Sequence, residues 1–169
     1  MKVNNRLAHL IIPNGFNHFY MVTIPINIYK VFPEIISDEH TLIAALDGED
    51  NQTMKDFYLQ LKAVFHLPRH CWCSFNSLNE CLNDLDWLNY NRYHLILSNY
   101  EYFLKGEPIE VKYNALQMLH TASNEWANVP THEGEENYRK KALFKVYLQD
   151  CTRTRRDLES LNFPRLLDI

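Results

Sequence analysis

"TLIAALDGEDNQTMKDFYLQLKAVFHLP", Thr41 to Pro68, reads as a strand, a turn and a helix in immediate succession. Thr41 to Leu46 is a short apolar run closed by the turn signal "DGED", which suits a buried strand. Thr53 with Asp56 three positions later forms a capping box, so a helix starts there. Met54, Phe57, Leu61, Val64 and Phe65 keep helical spacing until Leu67-Pro68 stops the pattern. The alternation continues downstream. Ser74 caps a second helix in which Phe75, Leu78, Cys81, Leu82 and Leu85 recur at three- and four-residue intervals and face the core. "YHLILSN" (Tyr93 to Asn99) is a second strand, Val111, Ala115, Leu116, Leu119 and Ala122 mark a third helix, and "ALFKVYLQ" (Ala142 to Gln149) is a third strand. Strands alternating with helices predict an α/β layer, with the strands from Thr41, Tyr93 and Ala142 parallel in one small sheet. Upstream, "FYMVTIPINIY" (Phe19 to Tyr29) also reads as a strand. Pro25 lacks the N–H of a central ladder, so this is an edge strand or two short pieces. Ser123 to Lys141 is long for a simple connection and is expected to be a functional or mobile loop.

The rest of the chain narrows the class. At 169 residues one domain is expected, and 46% hydrophobic, 13% aromatic and 22% charged residues describe a folded chain. No run approaches the roughly 18 apolar residues of a membrane span, and the N-terminal apolar stretch is short for a signal peptide. The expected home is therefore the cytoplasm, with no membrane partner and with Cys71, Cys73, Cys81 and Cys151 as thiols. The net charge of −4 is unevenly spread: residues 33–136 hold 6 Lys and Arg against 17 Asp and Glu, between two basic ends. That acidic middle argues against nucleic acid as its ligand.

"HCWCSFNSLNECLNDLDWL", His70 to Leu88, holds three of the four cysteines and admits three readings. As a metal site it would use His66, His70, Cys71 and Cys73, but C-x-C is not the usual knuckle and no second pair completes four ligands. No metal and no cofactor is expected. As a nucleophile, Cys71 or Cys73 needs a base that the sequence does not place. The chain has no G-x-S-x-G, no phosphate-cradling glycine loop and no H-E-x-x-H, so no catalytic residue is named and an enzyme is not expected. The third reading uses the far side of the helix. With Leu78 as zero, Phe75, Leu82 and Leu85 fall within about 60° of it, while Asn76, Glu80 and Asn83 cluster at about 140–200°. Asn76, Asn79, Glu80, Asn83 and Asp84, extended by Asp86, then offer acceptors and negative charge on a rigid support. By periodicity alone the same face reads as an ordinary solvated one.

The stretch from His40 to Leu88 resembles the barstar family: a short strand, a turn, an amphipathic helix ending in Leu-Pro, a loop, and a helix of the form N-x-x-A-x-x-D-C-L-x-D-L-x-W. Here that helix reads Ser77-Leu78-Asn79-Glu80-Cys81-Leu82-Asn83-Asp84-Leu85-Asp86-Trp87. "CL-x-DL-x-W" is its most specific piece, and the later strands and helix extend the resemblance from Thr41 to Asp150. The resemblance implies a three-stranded parallel sheet packed with helices, and an inhibitor of bacterial ribonucleases. In that family the Cys-Leu helix and the loop before it plug the nuclease active site with acidic side chains. Carried over by position, Glu80 takes the slot of the family's most important inhibitory aspartate and Asn76 that of a second. The first is longer by a methylene and the second is uncharged. Trp72 stands where the family usually has glycine, and a later family glutamate falls near Thr121. The expected partner-binding set is Trp72, Ser74, Asn76, Asn79, Glu80, Asn83 and Asp84. Residues 1–40 form an N-terminal extension, and the basic tail 151–169 likewise has no counterpart in small family members. The function these observations imply is that of an immunity protein or antitoxin holding a cognate toxin, expected to be a ribonuclease, in a stoichiometric complex. The alternative is a protein-interaction module whose partner is not a nuclease.

Overall fold

The computed structural model describes residues 39–160 and the backbone of 19–22. In chain order the elements are β1 (Phe19–Val22), β2 (Thr41–Asp47), α1 (Met54–Val64), α2 (Phe75–Asp84), β3 (Arg92–Ser98), α3 (Ile109–Ala127), β4 (Leu143–Gln149) and α4 (Thr152–Ser160). Single 3-10 turns at Gly48–Asp50 and Glu135–Asn137 sit in the connections. All four strands are parallel, in the order β1-β4-β3-β2. The expected barstar-like build is present, with β2, β3 and β4 as its three strands and β1 added at the edge beside β4. Phe19 lies opposite Val146 and Val22 opposite Gln149. Pro25 and the rest of that predicted strand lie outside the described residues.

Parallel strands are joined by helical crossovers and buried by them, so they read as near-continuous apolar runs. β4 is buried from Phe144 to Leu148, Lys145 included. Leu46, Leu97 and Leu148 are in register across the sheet, and all are buried in the same core as Phe57, Leu61, Leu78, Leu82, Leu116 and Leu119 of the helices. Phe65 stacks on Phe144 with ring centres 5.8 Å apart, and Trp126 closes the group against Tyr93.

The local signals that start the helices are realised in atoms. Thr53 Oγ1 accepts from the Asp56 N–H at 3.2 Å while the Asp56 carboxylate accepts from the Thr53 N–H, the reciprocal box read from the sequence. Ser74 Oγ accepts from the Ser77 N–H at 3.3 Å and caps α2. At the carboxyl ends of β2 and β3, a Cβ on Gly48 would collide with the Asn99 carbonyl, so glycine is required there.

Two expectations change. Ser123 to Lys141 is not one long loop, because α3 continues to Ala127 and buries Ala122, Ser123 and Trp126. The polar letters of "SNEWAN" concealed the helix; Trp126 continues the buried face one turn beyond Ala122 and Ser123. The segment after Asp150 is not merely a basic tail either. It begins as α4, docked through buried Leu158 and Asp157, with Thr154 Oγ1 donating to the Gln149 carbonyl.

Candidate functional site

The candidate site is the loop from Pro68 to Ser74 with the outer face of α2. The loop is short and tied at both sides. The Cys71 N–H donates to the Pro68 carbonyl at 3.0 Å, and the Tyr58 hydroxyl, from α1, donates to the Cys71 carbonyl at 2.9 Å. The Trp72 N–H donates to Ser77 Oγ at 2.8 Å, and the Ser74 N–H to the Trp72 carbonyl at 2.8 Å. These bonds fix the backbone on either side of Trp72, yet its indole is 69% exposed. A large apolar ring held in water by an ordered loop has no role in the core, which Cys71 serves instead at 1% exposure.

On α2 the stripe of Leu78, Cys81 and Leu82 is buried, followed by Leu85 at its end. Ser74, Asn76, Glu80 and Asp84 are exposed, as the helical wheel requires. Asn79 and Asn83 are half-buried, which differs from the wheel's placement of Asn83 beside Glu80. α3 packs on α2 as well as on β4, and the Trp126 indole N–H donates to the Leu82 carbonyl at 2.8 Å, so more of α2 is shielded than its apolar stripe indicates. Asn79 Oδ1 and both amide atoms of Asn83 are out of solvent with no protein partner. Such groups strongly favour acquiring one.

The charges on this face, Glu80 and Asp84, are negative. α2 carries no basic residue, and its C-terminal dipole end adds negative potential where Asp84 and Asp86 follow. Partial burial, then the neighbouring Asp86, pushes the Asp84 carboxyl above the usual aspartate range, against the pull of Arg139 and His70. A cation brought here relieves that repulsion. Thr121, where a family glutamate would fall, is half-buried on α3, the helix packed against α2.

Two of the thiols, Cys81 and Cys73, are held toward the protonated form. Burial, then the hydrogen bond and charge of Cys71, pushes the Cys81 thiol up to about 12, far from thiolate chemistry at neutral pH. Cys73 is exposed, and its thiol is also raised, by partial burial first and by Glu107 second. Among the described residues no three His, Cys, Asp or Glu side chains group as metal ligands.

Sequence reasoning placed a functional loop at Ser123 to Lys141 without naming residues in it. There Arg139 lays its guanidinium 4.3 Å from the centre of the Trp126 ring and gives Nη1 to Glu135 Oε1 at 3.2 Å. Glu135 Oε2 also accepts from the Thr131 N–H and hydroxyl, and these bonds, led by the backbone one, hold the carboxyl below its usual range. The signal for this pair was the Glu135 and Arg139 spacing of four.

The fold is a small parallel α/β unit that presents a capped helix bearing exposed carboxylates and a loop with an exposed tryptophan. The family model for barstar, described as barnase inhibitor, matches residues 41–149; the chain belongs to the barstar family, whose members are inhibitors rather than enzymes. Among curated proteins none matches the chain. No helix among the described residues is long and apolar enough to cross a membrane.

Proposed function

We propose that this protein is an immunity protein or antitoxin that binds a cognate bacterial toxin one to one and blocks its basic active site, the toxin being a ribonuclease. The observation that carries the reading is Trp72, 69% exposed on a loop whose backbone is fixed by Tyr58 and Ser77 and which leads into α2, the helix that bears the exposed Glu80 and Asp84. An aromatic anchor beside desolvatable charge is the usual composition of a binding hot spot. Glu80 and Asp84 occupy the place of RNA phosphates against the toxin's cations, and Asn76, Asn79, Asn83 and Ser74 complete the polar contacts. The same carboxylates repel nucleic acid, so RNA is not itself the ligand. The cytoplasm, where a ribonuclease would do harm, is the site of action.

The test is to co-express the protein with a candidate toxin, starting with any ribonuclease found encoded beside it, purify the pair and assay RNA cleavage. A 1:1 complex without cleavage, and cleavage restored by Glu80→Lys, is the expected result. Full cleavage in the presence of excess protein rejects the ribonuclease reading. Uncharged Asn76 in place of a family aspartate favours the second reading, an interaction module for a non-nuclease protein; a stable complex lacking any nuclease would establish it.

A further inference from the structure

Beyond the outer face of α2, a cavity of about 130 Å³ opens between the C-terminal end of that helix and the loop after α3. Asp84, Asp86, Trp87, Tyr93, Trp126 and Arg139 contribute to its lining. Tyr93 and Trp126 are 2% and 3% exposed with ring centres 5.8 Å apart, so part of the lining is an immobile aromatic surface. Arg139 is stacked on that surface and committed to Glu135 only through Nη1. Its Nε and Nη2 are buried with no acceptor in the protein. Glu135 is not spare for them, since its second oxygen is taken by the Thr131 N–H and hydroxyl.

Nε–H and Nη2–H lie along one edge of the guanidinium, two parallel donors that match the two oxygens of a carboxylate. A charged donor pair out of water without an acceptor is costly, and a ligand that supplies both acceptors recovers that cost. The cavity is well below the roughly 300 Å³ at which pockets accept nucleotides or drug-sized molecules, so it takes one small group. We infer that this cleft binds a single carboxylate, gripped side-on by Arg139 Nε and Nη2, with the carbon that bears it against Trp126 and Tyr93. The carboxylate arrives on a small free acid or on an Asp or Glu side chain of a partner protein; the recognition chemistry is the same. This site shares Asp84 with the toxin-facing set but does not rest on the toxin reading. Asp84 and Asp86 line the same cavity, weaken any anion there and would strengthen a cation, which gives the ligand's sign a direct test.

The experiment follows the indole N–H resonances of Trp87 and Trp126 in the full-length, ¹⁵N-labelled protein, with Trp72, outside the cleft, as internal reference. Benzoate and N-acetylglutamate α-amide are titrated in parallel with neutral benzamide and cationic benzylamine. Saturable shifts with the acids, about tenfold weaker with benzamide, are expected; tighter benzoate points to a free acid, tighter acetylglutamate amide to a partner's side chain. Arg139→Lys keeps the charge but loses the fork, and should weaken the acids about tenfold. Asp86→Asn, at an exposed position that leaves the fold untouched, should tighten them about two- to fivefold; it decides the matter even if Arg139→Lys unfolds the loop. No saturable shift with either acid, benzamide binding as well as benzoate, or Asp86→Asn weakening the ligand overturns the inference.

Discussion

Lys112 Nζ of α3 lies 3.0 Å from Asp157 Oδ2 of α4, with the two side chains 1% and 3% exposed. The ammonium sits 4.5 Å from the centre of the Tyr100 ring, whose hydroxyl donates to the same carboxylate oxygen at 3.2 Å. This buried pair makes the C-terminal helix part of the folded core. The two partners are not equivalent. Removing Asp157 strands the Lys112 charge among rings, whereas removing Lys112 leaves Asp157 with the Tyr100 hydroxyl and with Arg153 at 3.8 Å. Asp157→Ala should therefore cost about 3–5 kcal/mol in urea unfolding, and Lys112→Met distinctly less. A loss under about 1 kcal/mol for Asp157→Ala would show that α4 is not held by this pair.

His94, on β3, has its Nδ1 2.9 Å from the Tyr147 hydroxyl of β4. Burial first, then the charges of Lys145 and Arg92, lowers its pKa from 6.5 to about 4. Above pH 6.5 the imidazole is neutral in both folded and unfolded chains and contributes no pH dependence. As pH falls from about 6.5 to about 4 only the unfolded chain takes up the proton, so stability drops through that window by up to about 3 kcal/mol. Denaturation midpoints measured between pH 7.5 and 4 should show this fall, and His94→Phe should remove that part of it. An equally steep fall in the variant would place the acid sensitivity elsewhere.

Trp72→Ala should leave the thermal midpoint within about a degree, since the residue is 69% exposed, and should weaken binding of the partner by about 2 kcal/mol or more. Calorimetry of the free protein beside titration against the partner separates the two effects. A destabilised variant with normal affinity would return Trp72 to a structural role.

Glu80 is exposed on α2, so Glu80→Ala should change folding stability by no more than about 0.5 kcal/mol while costing about 2–5 kcal/mol of binding, much of it from cations left unpaired in the partner. Cells carrying Glu80→Lys should lose protection from the toxin, and association of the native protein should slow steeply with added salt. If such cells survive as well as wild type, the inhibitory surface lies off α2. Asn79→Asp should lower folding stability, because Asn79 Oδ1 is out of solvent and a charge there would be unpaired.

The chain's local physics was written in the sequence. Thr53 and Asp56 are three positions apart, so their reciprocal cap needs nothing else from the fold, and the apolar spacing of Leu78, Cys81 and Leu82 fixes which side of α2 is inward. The alternation of strands and helices determines a parallel sheet. The exposure of Glu80 follows from the wheel, and that of Trp72 from the absence of any apolar period around it. What the tertiary structure alone decided concerns pairs whose separation along the chain carries no periodic signal: Lys112 with Asp157, Arg139 on Trp126, and β4 between β1 and β3. Asn83 shows why. A helical wheel assumes one packing partner, whereas α2 meets the core and α3 together, and only the three-dimensional closure of the chain determines how far around the helix burial extends.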